Sequence, residues 1–308
     1  MISGSCLDLI FKKIEMNKFA SMATLDALSS DAPPLPLHLS NLLLTPISVN
    51  SELPDFEAIC EGFELPRERC EEKKRDEDRL PNRIVSGVAS GLELGLWKSH
   101  SKHCAHELLS AEYIEGIVQS VKELLLSEGD GEGETVCLEI GAGTGLLSEY
   151  LRPRLKGFCE VVAVDDFTSA ISAVTSVVEM GCEEALNKYK PKLVICSWMP
   201  PGRDFSDAIA KCDSVHGYLL LGEADSSTCG DRWATWGVPP EIGCKKCDFE
   251  GCGRCDLGIY EDTPKPYAER GFSRSCVDSI QSVQICRFDS NVCRGYSSAT
   301  LFTRDMAK

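Results

Sequence analysis

Several features are scarce in this sequence, and each scarcity excludes something. Aromatic residues make up 7% of the 308 positions and histidine occurs five times. No apolar run approaches the roughly 18 residues that a bilayer-spanning helix needs, which argues against a membrane protein. No fixed-period repeat, heptad pattern or low-complexity tract is present, so solenoids, collagens and coiled coils are excluded. Basic residues are outnumbered, 32 Lys and Arg against 48 Asp and Glu, for a net charge of -16. General binding to nucleic acid or to an anionic membrane draws mainly on neutralised phosphates, so this balance argues against both. The first fifteen residues lack a basic stretch ahead of an apolar one and carry Asp8 and Glu15, unlike a signal or transit peptide. Cysteine, by contrast, is abundant at 17. The count is odd and the cysteines sit in apolar runs such as Val136-Cys137-Leu138 and Val194-Ile195-Cys196, where a thiol behaves as a small hydrophobe. A reducing compartment, with the cytoplasm as the default, is the expectation.

With 43% hydrophobic residues the chain can bury a substantial core. The expected division is an N-terminal extension over 1–100, helical or irregular, and a main domain over 101–308. The extension holds Pro33-Pro34-Leu35-Pro36 and a charge block from Arg67 to Arg79. Its stretch Leu92–Trp97 reads either as a lid over a site or as a stabilising arm. In the main domain, Leu109, Ile114, Ile117, Val118, Val121, Leu124 and Leu125 recur at helical spacing. Strands are expected at 135–140, 160–164, 174–180, 192–197 and 217–221, with helical spacers near 169–174, 183–189 and 204–211 and a further helix after residue 145 that stops at Pro153. Alternating strands and helices imply a parallel sheet with right-handed crossovers. Segments 282–287 and 298–303, joined by 291–295, read as an antiparallel hairpin at the sheet edge.

The strongest chemical signal is Glu139-Ile140-Gly141-Ala142-Gly143-Thr144-Gly145 between a strand and a helix. Glycines there let the backbone turn tightly and approach a ligand. The next strand ends in Asp165-Asp166, where a carboxylate can accept both hydroxyl protons of a ribose. Glu139, two positions before the first glycine, would oppose a pyrophosphate at the helix N-terminus and suits a cationic ligand instead. A nicotinamide oxidoreductase is disfavoured on this ground and by the spacing of the third glycine.

These residues resemble the class I S-adenosylmethionine-dependent methyltransferases over about 105–308. The resemblance implies a Rossmann-like, mostly parallel seven-stranded sheet with helices on both faces and an antiparallel C-terminal edge hairpin. It implies S-adenosylmethionine as cofactor, with Gly141, Ala142, Gly143 and Gly145 passing its methionine part, Glu139 near the ammonium, and Asp165, with Asp166 beside it, at the ribose. Cys182 or Glu183 falls where the family contacts the adenine amine. Ser197 and Trp198, after strand four, fall where the acceptor and cofactor meet. Met199 stands before Pro200-Pro201 where amino-group methyltransferases often carry Asp or Asn, so the methylated atom stays open. Asp204, His216, Glu223 and Asp225 are candidate bases near strand ends, and no spacing singles one out.

Cys244, Cys247, Cys252 and Cys255 form two Cys-x-x-Cys units in a Cys-rich insertion over 229–256. Four thiolates satisfy a structural zinc, although the units stand closer than in ordinary zinc ribbons; a reduced Cys-rich loop is the competing reading. Trp233, Trp236 and Tyr260 line an acceptor pocket or pack on the sheet. His100, His103 and His106 read as solvated residues at a helix start rather than a metal site. The expected function is methyl transfer to an unidentified small molecule or protein side chain. The alternative is a non-catalytic methyltransferase-like module, zinc-stabilised or not, that binds a protein.

Overall fold

The computed structural model describes residues 52–62, 65, 67–69, 105–127, 135–168, 173–223, 229–238, 263–286, 289, 295 and 297–304. The expected lid stretch 92–97, the cysteine cluster 244–255, Asp225, Tyr260, His100 and His103 lie outside these residues.

Seven strands form one sheet in the order β3-β2-β1-β4-β5-β7-β6. They are β1 (Val136–Ile140), β2 (Glu160–Asp165), β3 (Val178–Glu179), β4 (Leu193–Ser197), β5 (Gly217–Gly222), β6 (Phe272–Cys276) and β7 (Ser298–Arg304). β1 to β5 pair in parallel, whereas β7 runs antiparallel to both β5 and β6. This is the Rossmann-like sheet that the sequence implies. The reversal of order between β1 and β4 opens a crevice at the carboxyl ends of the strands, the position where such sheets bind ligands.

Side chains alternate along each strand, so the sheet supplies two cores. Cys137, Leu193, Ile195, Leu219 and Leu221 face one side with the helices α2 (Ala111–Ser127) and α3 (Leu146–Leu155). Leu138, Ile140, Val194, Cys196, Tyr218 and Leu220 face the other with α4 (Cys182–Tyr189) and α5 (Ser206–Lys211). Tyr218 of β5 stacks on Phe302 of β7 with ring centroids 4.5 Å apart, which ties the antiparallel edge to the parallel sheet. Short helices α6 (Pro266–Glu269) and α7 (Asp278–Gln281) flank β6.

Described residues between 53 and 69 pack against α2 and its neighbours. Helix α1 (Phe56–Gly62) lies against α2, with the Phe56 N–H donating to Glu112 Oε2 at 2.8 Å and the Ala111 N–H to the Pro54 carbonyl. Leu53 packs on the core, and Arg69 donates to the carbonyls of Gln281 and Ser297. Among the described residues no helix is long and apolar enough to cross a membrane. The described cysteines carry free thiols, and Cys60, Cys137, Cys196, Cys229 and Cys286 are buried, as the apolar context of Cys137 and Cys196 suggests for those two.

Four element assignments need correction. The expected edge strand over 282–287 is instead β6, ten residues earlier in Phe-Ser-Arg-Ser-Cys, whose half-exposed polar face hides the alternation. Ile285 and Cys286 are buried, and the 282–286 stretch makes a single bridge, Cys286 to Glu107. The expected strand 174–180 shrinks to two residues, with Thr175 and Val177 spent on packing below the glycine turn. In the expected helix 169–174, residues 173 and 174 are not helical and 169–172 lie outside the described ones. Helix α3 passes Pro153 and ends at Leu155, whose fully buried side chain continues the apolar face.

Candidate functional site

The glycine turn leaves β1 and enters α3. Gly141, Gly143 and Gly145 take φ values of +71°, +54° and +78°, the left-handed region that side chains with a Cβ resist. The loop is pinned across to β2, because the Ala142 N–H donates to the Val164 carbonyl at 3.0 Å and the Gly143 N–H to Asp165 Oδ2 at 2.8 Å. The other Asp165 oxygen accepts the Phe167 N–H at 2.6 Å. The carboxylate at the β2 tip is thereby fixed in orientation above the loop.

Glu139 is 2% exposed, and its Oε2 accepts the backbone N–H of Ser148 at 3.0 Å and the Ser148 hydroxyl, in the first turn of α3. Burial raises its carboxyl from the ordinary 4.5 to about 7; the Ser148 donors and the Arg152 charge offset part of that shift. The sign of the consequence follows. Between 4.5 and 7 the folded protein keeps a proton that the unfolded chain has released, so this group's contribution to stability is full below 4.5 and lost as pH rises through 7. Glu139→Gln is expected to match wild type in acid and to gain on it by up to about 3 kcal/mol above neutrality. Urea unfolding from pH 4 to 8 checks this; parallel stability curves would contradict it.

A cavity of about 320 Å³ runs along the carboxyl ends of β2, β1 and β4. Of the residues singled out from sequence, Glu139, Gly141, Ala142, Gly143, Asp165, Asp166, Cys182, Ser197 and Trp198 line it. Two do not. Gly145 is packed under Thr175 and Val177, and Glu183 turns to a separate surface dent beside Lys190 and Lys211. Asp166 differs from its neighbour in role: it pairs with Arg203 at 2.9 Å, whose other nitrogen donates to Thr168. That guanidinium holds the Asp166 carboxyl down at about 2.

The candidate bases fare poorly. Asp204 accepts from the Ser206 N–H and hydroxyl and from the Thr235 hydroxyl, just ahead of α5. Neither His216, at the amino end of β5, nor Glu223 lines the cavity. Trp236 is a core residue, its indole N–H donating to the Cys229 carbonyl at 2.8 Å. Among the described residues no three His, Cys, Asp or Glu side chains are grouped to hold a metal ion.

Sequence reasoning missed Glu107 and Arg203 and read His106 as a solvated residue at a helix start; all three stand in the cavity wall, and His106 is half-buried and precedes α2 outside any helix. Glu107 is 1% exposed and accepts hydrogen bonds from the Tyr113 hydroxyl and the Gln284 amide. Burial lifts its carboxyl to about 7, against the lowering effect of donors from Tyr113, Gln284 and Trp198. His106 lies over Trp198, ring centroids 5.3 Å apart. Trp198 itself holds φ +55°, an uncommon conformation for a bulky residue, fixed by its N–H donating to the Leu221 carbonyl at 2.8 Å. Nothing local marks Glu107 as a cavity residue, because its partner Gln284 is distant in the chain, and the histidine cluster does not show that His106 meets the equally distant Trp198.

A scan against protein-family models finds no match, and neither does a search of curated proteins. Solved structures give distant likenesses. The CMeT domain of the citrinin polyketide synthase is 11% identical, with a TM-score of 0.39 over 71% of this chain and 58% of that one. The CurJ carbon methyltransferase is 13% identical, TM-score 0.39, over 93% and 71%. Human N-acetylserotonin methyltransferase in complex with SAM is 12% identical, TM-score 0.32, over 87% and 66%. The chain spans less than two thirds of the polyketide synthase domain's length.

Proposed function

We propose that this chain transfers a methyl group from S-adenosylmethionine to an acceptor held on the β4 side of the cavity. The observation that carries the reading is Asp165, locked by the N–H groups of Gly143 and Phe167 at the tip of β2. A carboxylate oxygen has two lone-pair sites, so each oxygen keeps capacity for a ribose hydroxyl while its backbone donor holds it in place. Gly141 to Gly143 would pass the methionine portion, with Glu139 as the anion beside its ammonium. Met180 and Cys182, on the β3 side of Asp165, would border the adenine. A dinucleotide's pyrophosphate at the N-terminus of α3 would meet the Glu139 carboxylate that accepts from Ser148, and an anionic ligand gains nothing from it.

S-adenosylmethionine supplies a methyl group on an already activated sulfonium. What is left to the protein is alignment of the acceptor with that methyl group and removal of a proton where the acceptor carries one. Calorimetric titration with S-adenosylmethionine, S-adenosylhomocysteine and NAD tests the reading. Micromolar binding of the first two and none of NAD is expected. Binding of NAD alone, or of none of the three by folded protein, would contradict it.

A further inference from the structure

Along the carboxyl edge of the sheet, Asp165 lies on the β2 side of β1, and Trp198 lies on the β4 side. The wall on the β4 side is made by Trp198, His106 and Glu107. Among the described residues the cavity is lined by four carboxylates, Glu107, Glu139, Asp165 and Asp166, and by one guanidinium, Arg203, which is already committed to Asp166. Its potential therefore favours cations, and the field is focused by the apolar walls of Leu109, Leu147 and Met199.

We propose that the β4 side binds the methyl acceptor as an ammonium ion, so that the substrate class is an amine, with Glu107 as its counter-ion and proton acceptor. This rests on the methyl-donor reading above. Three features support it. Glu107 reaches the cavity from a buried position, where a charge pair is screened far less than at the surface. Tyr113 and Gln284 hold the two carboxylate oxygens in one orientation. The Trp198 and His106 rings border the same wall, and an indole face attracts a cation.

The chemistry balances with these groups alone. The ammonium gives one proton to Glu107, and the freed nitrogen lone pair forms a bond to the sulfonium methyl carbon. The carbon–sulfur bond breaks with its electron pair left on sulfur, giving neutral thioether and a methylated ammonium. The proton on Glu107 then passes to water. A carboxyl raised to about 7 is suited to accept and release that proton near neutrality.

The test uses the full chain saturated with S-adenosylhomocysteine, which fills the donor site without turnover. It is titrated at about pH 8, where Glu107 is ionised, with benzylamine, benzyl alcohol and benzoate as size-matched probes. Benzylamine is expected to bind about tenfold or more tightly than benzyl alcohol, and benzoate weakest. Glu107→Gln is expected to erase that preference and leave S-adenosylhomocysteine affinity unchanged, while Glu107→Asp, which keeps the charge, restores part of it. Equal affinity for amine and alcohol, no amine binding, or a preference that survives Glu107→Gln would overturn the proposal. Failure of S-adenosylhomocysteine itself to bind would instead strike the methyl-donor reading.

Discussion

Asp165→Ala is expected to cost roughly 100-fold or more in affinity for S-adenosylhomocysteine, because two ribose hydroxyls would each lose a charged acceptor at about 1.5–3 kcal/mol apiece. The same substitution removes the acceptor that orients Gly143, so loop and ribose contacts fail together. The adjacent carboxylate supplies the control. Asp166 is engaged by Arg203 and Thr168, and both it and Arg203 are partly exposed, so its removal sheds a surface ion pair worth about 1 kcal/mol or less. Asp166→Ala should therefore weaken binding only a few-fold. Titration calorimetry on the two variants distinguishes neighbours that sequence alone leaves equivalent. Equal losses would mean that Asp165 is not the ribose acceptor.

Gly145→Ala carries the largest expected loss of stability. Its φ of +78° already penalises a side chain, and a Cβ there would stand 2.3 Å from both Thr175 Oγ1 and Val177 Cγ2. Strain in the left-handed region costs about 1–2 kcal/mol, and overpacking adds a further 1–3. A fall of about 4–20 °C in Tm is expected at about 2–4 °C per kcal/mol for a domain of this size. Gly157, with φ +92° and nothing within 4 Å of the added Cβ, isolates the backbone share of that loss. Gly157→Ala should drop Tm by only a few degrees. Thermal denaturation of both variants checks this, and equal losses would show that the space under the turn is not filled as described. The site consequence is that the third glycine serves packing between the turn and the 173–177 stretch rather than ligand contact.

The parts of the site that were legible in the sequence share one property: their signal is local. Glu139 to Gly145 and Asp165 lie in a strand, turn, helix and strand that follow one another, so spacing alone places them together. The sheet's parallel part was legible for the same reason, through apolar runs in β4 and β5, and in β1 with Glu139 as its one interruption, that are buried on both faces. Glu107 was not. It precedes α2 beside histidines that carry no matching carboxylate pattern, and its partner Gln284 lies 177 residues further along the chain. The bridge between Glu107 and Cys286, the Leu108 N–H donating to the Ile285 carbonyl and the Gln284–Glu107 hydrogen bond bring the two segments together. The same bridge explains the misplaced edge strand, since the apolar residues of 282–286 are buried against the 105–109 segment and α2 instead of extending the sheet. Arg203 was passed over because its neighbours Pro200, Pro201 and Gly202 draw attention to the turn, whereas its function as a strap depends on Asp166 across the cavity.

On the proposed reading, one carboxylate at the β2 tip and one near the end of β1 recognise opposite ends of the same ligand. A crystal structure of the protein with S-adenosylhomocysteine tests this most directly. The expected density places both ribose hydroxyls on Asp165 and the methionine ammonium beside Glu139, with the thioether sulfur directed toward Trp198 and Glu107. A ribose held elsewhere, or a ligand whose ammonium points away from Glu139, would contradict it.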